Sequence, residues 1–132
     1  MSRSMTFSHL ITSGINLSFS IGIDFTVSNN PPEKTNSLHH IHSDSDNKNP
    51  YQKVITGIGS IIMNYNSSGM VPVFGFGAKV KFDGFDTDLV SHCFACNGDL
   101  RHSQTFNETG TFNGIYSAYY LALKNTEFHG PT

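Results

Sequence analysis

The run Leu17-Ser-Phe-Ser-Ile-Gly-Ile-Asp24 constrains this chain more than any other stretch. Leu17, Phe19, Ile21 and Ile23 alternate with Ser18, Ser20 and Gly22, a period of two that suits a strand and not a helix. The intervening residues are small, so both faces can be covered, as in a central strand of an α/β sheet. The predicted strand ends in Asp24-Phe-Thr26-Val-Ser28. Spacing of two keeps Asp24, Thr26 and Ser28 on one side while the chain stays extended. In open α/β sheets, ligands bind in the crevice beyond the carboxyl ends of the strands. One carboxylate and two hydroxyls form a hard oxygen set, suited to Mg2+ or Mn2+ rather than zinc, and Ca2+ is admissible on the same grounds. A single carboxylate leaves much of an ion's charge uncompensated, so an acidic group of a partner can complete the coordination. The same three residues after a strand also suit ordinary Asx- and ST-turns, and the pattern alone does not separate the two readings.

Beyond Ser28 the composition changes. Residues 29–49 are dominated by Asn, Pro, Ser, Asp and His, and read as a long exposed loop. In the next segment Tyr51, Val54, Ile55, Ile58, Ile61, Ile62 and Tyr65 follow one helical stripe. Asn49 and Pro50 supply an N-cap and a first-turn proline. Gly57 and Gly59 weaken that helix by about 1 kcal/mol each, which a close crossing over a sheet would explain. Val71–Gly77 reads as a second buried strand, with Pro72 near its start. Lys79–Asp88 reads as a charged turn and Leu89–Cys96 as a strand. A helix is expected from Thr111 to Lys124, with Phe112, Ile115, Tyr116, Tyr119 and Leu123 on one side. Strand, helix, strand, strand, helix is the opening of a layered α/β domain.

Composition narrows the function. Hydrophobic residues make up 37% and charged residues 14%, which suits a globular chain. A formal charge of -2 offers no broad basic face, so nucleic acid is not an expected partner. No apolar run reaches the roughly 18 residues of a membrane span, and no apolar stretch follows Arg3 as in a signal peptide. A cytoplasmic location is the expectation. Asn16, Asn66 and Asn107 lie in three-residue glycosylation patterns that arise readily by chance.

Three other features read as structural. His39, His40 and His42 beside Asp44 and Asp46 resemble a zinc or copper set, but a loop without a second fixed ligand pair preorganises poorly, so they are expected to be solvated. Cys93 and Cys96 are three apart on a predicted strand, point to opposite faces, and are expected to be buried and inert. Gly75-Phe-Gly77 lacks the third glycine of a dinucleotide fingerprint.

Several separated stretches, in order, resemble the copine family. They are Ser18–Asn29 with its Asp-x-Thr-x-Ser, Asn36-Ser-Leu-His-His-Ile41, Val71–Ala78, Val90-Ser-His92, Gly114–Tyr119 and Gly130-Pro-Thr132. The resemblance implies a three-layer, Rossmann-like von Willebrand factor A domain over residues 7–132, shortened so that later strands and helices are lacking, behind a tail of residues 1–6. It implies that Asp24, Thr26 and Ser28 are metal ligands of a metal-ion-dependent adhesion site, and that Thr132 is the threonine of its second loop. A further aspartate of that site, and the tandem C2 domains that bind phospholipid with calcium in the family, are absent from this sequence. In the family's fold the first strand is central and takes a later strand on its other edge. The function implied is a non-enzymatic module recruiting a cytosolic protein partner, linked to calcium-dependent membrane signalling or trafficking, with peripheral recruitment to the plasma membrane only through C2 domains. Two alternatives are the copine-type domain of a RING ubiquitin ligase, whose cysteine-rich module is missing here, and a magnesium-dependent phosphotransferase, whose phosphate-cradling glycines and fixed cation are missing.

Overall fold

The computed structural model describes residues 18–65, 68–99, 101–107 and 111–130. They form a mixed α/β arrangement of two sheets and two helices. Strand β1, Ile21–Asp24, pairs in parallel with β2, Met70–Phe76, in the register Ile21 to Val73 and Asp24 to Phe76. A parallel pair needs a crossover, and helix α1, Pro50–Tyr65, lies between the two strands in sequence, which makes a βαβ unit. The remaining strands are β3, Ala78–Val80; β4, Val90–Ser91; β5, Phe94–Ala95; β6, Gln104–Phe106; and β7, Thr126–Phe128. Both β5 and β6 pair antiparallel with β2, at Phe74–Gly75 and at Met70–Pro72. The second sheet runs β4-β3-β7, all antiparallel.

Helix α1 begins where the sequence sets it. The Gln52 N–H donates to Asn49 Oδ1 and the Asn49 N–H donates to Gln52 Oε1, both at 2.7 Å. This reciprocal pair is a capping box with Asn and Gln in the two roles, and it satisfies donors the first turn would otherwise leave open. Helix α2, Asn113–Lys124, buries Ile115, Ala118, Tyr119 and Ala122, a stripe of the expected period, and ends on Lys124. Gly59 permits close packing: a Cβ there would stand 2.8 Å from the Phe112 ring, so the approach is to the lead-in of α2 rather than to a sheet. Gly57 faces open space and has no such reason.

The structure corrects several sequence expectations. Strand β1 is shorter than Leu17–Asp24; Ser18–Ser20 are unpaired and Leu17 lies outside the described residues. Among the described residues it is an edge strand with β2 as its partner, not a central one. The predicted strand Leu89–Cys96 is broken at His92–Cys93, and its halves join different sheets. The expected turn from Lys79 hides β3, because Gly77, at φ +81°, redirects the chain from one sheet into the other. Helix α1 buries a narrower stripe, Gln52, Ile55, Gly59 and Ile62, and leaves Val54 and Ile61 each 55% exposed. Strands β6 and β7 had no period long enough to read. Loop 29–49 is not uniformly exposed: Asn29, Ser37, His39 and Asn49 are buried.

Candidate functional site

Asp24 is the last residue of β1, and the chain then turns through Thr26 into a short 3-10 turn, Val27–Asn29. The Thr26 N–H donates to Asp24 Oδ1 at 2.8 Å, and the Thr26 and Ser28 hydroxyls stand 2.9 Å apart. The structure therefore brings the three expected oxygen-bearing residues into one hydrogen-bonded turn. Thr26 is buried, Asp24 half-buried and Ser28 exposed, so the cluster opens to solvent at one side. The Asp24–Thr26 bond is also the Asx-turn that the sequence left open as the plainer reading.

Two neighbouring contacts fix Thr26. Its backbone forms a parallel bridge with His129, in which the Val27 N–H donates to the His129 carbonyl at 2.7 Å. Gly77 packs against its methyl group; a Cβ at Gly77 would come within 2.4 Å of Thr26 Cγ2. The bridge brings the chain near its C-terminal end alongside the cluster. Thr132, the fourth expected ligand, lies outside the described residues.

Behind the cluster lies a buried polar network that sequence reasoning missed. Asn29, buried, donates from Nδ2 to Asp24 Oδ1 at 3.2 Å and to the Thr26 carbonyl at 3.1 Å, and its Oδ1 accepts the Tyr51 hydroxyl at 2.9 Å. His39, 0% exposed, places Nε2 2.6 Å from the Asp24 carbonyl and Nδ1 2.7 Å from the Tyr119 hydroxyl. A carbonyl only accepts, so Nε2 carries the hydrogen and Nδ1 accepts from Tyr119. Asn49 in turn donates to the Tyr119 oxygen at 3.2 Å. Among the described residues, every buried side-chain nitrogen and oxygen has a partner.

Burial sets the protonation of this network. It pulls His39 down from 6.5 to about 4, against smaller upward effects from the Asp24 carbonyl and the Asp24 charge, so the ring is neutral near pH 7. Burial and then the Asp24 charge push the Tyr51 phenol up; burial likewise raises Tyr119, so both hydroxyls stay protonated donors. The expectation that His39 is a solvated loop residue is thus overturned: it is core, between Phe25 and Tyr51. No local signal could have found it, because the polar composition of the loop concealed one inward residue. The cysteine expectation is half corrected. Cys96 is buried, with its thiol pushed up to about 12 by burial, whereas Cys93 is exposed, and both are free.

One carboxylate and two hydroxyls are the kind of oxygen donors a small hard cation takes; the Thr26 and Ser28 hydroxyls meet at 2.9 Å, and both His39 nitrogens are already engaged. Among the described residues, no group of three or more His, Cys, Asp and Glu side chains could hold a metal, the 39–46 loop included.

A family model described as Copine matches residues 37–132. The chain belongs to the copine family. The matched range takes in His39, α1, β2 and α2 but starts beyond Asp24, Thr26 and Ser28. Individual copine relatives extend the match upstream. Protein BONZAI 2 of Arabidopsis thaliana is 40% identical over 128 residues, 96% of this chain and 20% of that protein. Protein BONZAI 1 of the same plant is 39% identical over 127 residues, again 96% of this chain and 20% of that protein. Nicotinic receptor-associated protein 1 of Caenorhabditis elegans is 36% identical over 127 residues, covering 96% of this chain and 18% of its own. The chain thus spans about a fifth of the length of these curated relatives.

Proposed function

We propose that this copine-family chain is a protein-interaction module that holds a divalent cation, Mg2+ or Mn2+ with Ca2+ as a further candidate, on Asp24, Thr26 and Ser28. One observation carries the reading: the Thr26 and Ser28 hydroxyls lie 2.9 Å apart immediately beyond a carboxylate that is itself tied to the Thr26 backbone. Thr132 is proposed as a further ligand by the family resemblance alone. When bound, the cation supplies positive charge that a partner's acidic side chain can ligate. The chain's own part is positional: Asn29 and the Thr26 N–H hold Asp24 Oδ1, and among the described residues Asp24 Oδ2 accepts no hydrogen bond. The finer fold reading, a shortened three-layer von Willebrand factor A domain, is part of this proposal and is supported by the parallel β1–β2 pair with α1 between.

The partner is proposed to be a cytosolic protein. One relative's name ties that relative to a nicotinic receptor, which favours protein recruitment as the kind of task involved. Membrane phospholipid would be reached only through C2 domains, bringing a cytoplasmic protein peripherally to the plasma membrane. Catalysis is not part of the proposal.

Titration calorimetry of the full chain with Mn2+ and Mg2+ tests the site. Asp24→Ala is expected to abolish binding with little change in circular dichroism, because the carboxylate is the one charged ligand among these three. Unchanged affinity in that variant would overturn the assignment.

A further inference from the structure

We propose that His39 is a positioning residue for this site: its Nε2–H, donated to the Asp24 carbonyl, sets where the Asp24 carboxylate and the Thr26 and Ser28 hydroxyls stand. The inference rests on the cation-site reading above and adds a residue on another segment to it. The peptide after Asp24 is held to β2 on its N–H side, where the Phe25 N–H donates to the Phe76 carbonyl at 2.9 Å, so its carbonyl faces away from β2 and must find a partner elsewhere. His39 supplies the short bond at 2.6 Å, from a loop fifteen positions away in sequence, beside a longer contact of 3.4 Å from Asn29 Nδ2. The ring has no freedom to do anything else. It is stacked on Tyr51 at 3.8 Å between centroids and on Phe25 at 5.3 Å, with Phe128 edge-on at 5.1 Å. Tyr119 of α2 holds Nδ1 and thereby fixes which nitrogen carries the hydrogen, and Asn49 at the start of α1 holds Tyr119. Both helices therefore bear on one peptide group. One residue further on, the Thr26 N–H donates to Asp24 Oδ1, so a shift of the chain after Asp24 would separate the two.

The geometry separates positioning from mere filling. In His39→Gln the side-chain amide can reach the same carbonyl but loses the ring; in His39→Phe the ring and its stacking remain but the donor is gone. Mn2+ titration of the full chain is expected to show His39→Phe weakened by roughly tenfold to a hundredfold, as for other groups that orient a metal ligand, and His39→Gln close to the parent. A space-filling role predicts the reverse order, and that result, or equal affinity in all three, overturns the proposal. Amide hydrogen exchange without metal gives an independent reading: the Thr26 amide should exchange faster in His39→Phe and not in His39→Gln. Should the parent chain bind no Mn2+, the cation reading fails, and the exchange rates alone decide whether His39 positions the turn. If His39→Phe does not fold, Tyr119→Phe removes only the hydroxyl that holds Nδ1. A smaller but measurable loss of Mn2+ affinity and of Thr26 protection is then expected, and no change in either overturns the proposal.

Discussion

Loop 25–49 and the short turns 82–89 and 97–102 all carry several Asp and Asn residues, yet they spend their hydrogen bonds in opposite ways. In the loop, His39 reaches Tyr119 across 80 positions, Asn49 reaches Tyr119 across 70, and Tyr51 reaches Asn29 across 22. In the turns, Asp86 accepts from the Asp88 N–H, Asn97 from the Asp99 N–H and Asp99 from the Arg101 N–H, all two residues on and all exposed. Those backbone bonds hold the Asp99 carboxyl below its usual range, but the turn they stabilise is local. Loop 25–49 is thus wired into both helices, whereas among the described residues the side-chain oxygens of Asp86, Asn97 and Asp99 bond only within their own turns. A polar segment becomes part of the core when aromatic rings and helix ends offer it partners, because an unpaired buried polar group costs more than the bond returns.

The contrast is broken most sharply at His39. His39→Ala should cost about 4 kcal/mol, since it leaves a cavity among Phe25, Tyr51 and Phe128 and leaves the Asp24 carbonyl and Tyr119 hydroxyl buried without this partner. Urea unfolding measures it, and a loss below about 1 kcal/mol would mean that the loop is not part of the core. The pH dependence is next. The folded pKa of about 4 lies below the ordinary 6.5, so the unfolded chain takes the proton first as pH falls. The neutral buried ring contributes fully above pH 6.5, and that contribution is lost between 6.5 and 4, by about 3 kcal/mol. Unfolding midpoints at pH 7 and pH 4.5 should therefore diverge more in the parent than in His39→Gln; equal slopes contradict the buried neutral ring.

Asn49→Ala tests whether the wiring reaches the helix end. It removes the α1 cap and one bond to Tyr119, for an expected loss of about 2 kcal/mol and earlier exchange of the first-turn amides. At the other extreme, Asp86→Ala in a self-contained turn should shift stability by less than about 0.5 kcal/mol. A large effect there would erase the distinction between the loop and the turns.

How much of this was legible in the sequence follows from which signals are local. The α1 start could be read from Asn49 and Pro50, and Gln52 completes a box written in four consecutive residues. Alternation placed β1, and the Asp, Thr and Ser that follow it form a turn in which the Thr26 N–H meets Asp24 and the two hydroxyls meet each other. Periodicity overstated the buried face of α1, because Val54, Ile58 and Ile61 satisfy a helical stripe whether or not anything covers them. Leu89–Cys96 looked like one strand because local propensity does not report that Ser91 and Phe94 pair with different sheets.

By itself, the sequence determined the elements whose causes lie within a few residues: the capped helix, the alternating strand, and the oxygen-rich turn that follows it. Only the tertiary structure decided which polar loop residue goes inside. Nothing in Leu38-His39-His40 distinguishes the middle residue, which is fully buried, from its neighbours, which are not. Its burial depends on a tyrosine hydroxyl 80 positions away, a carbonyl at the end of β1, and two aromatic faces, partners that meet only when the chain has folded.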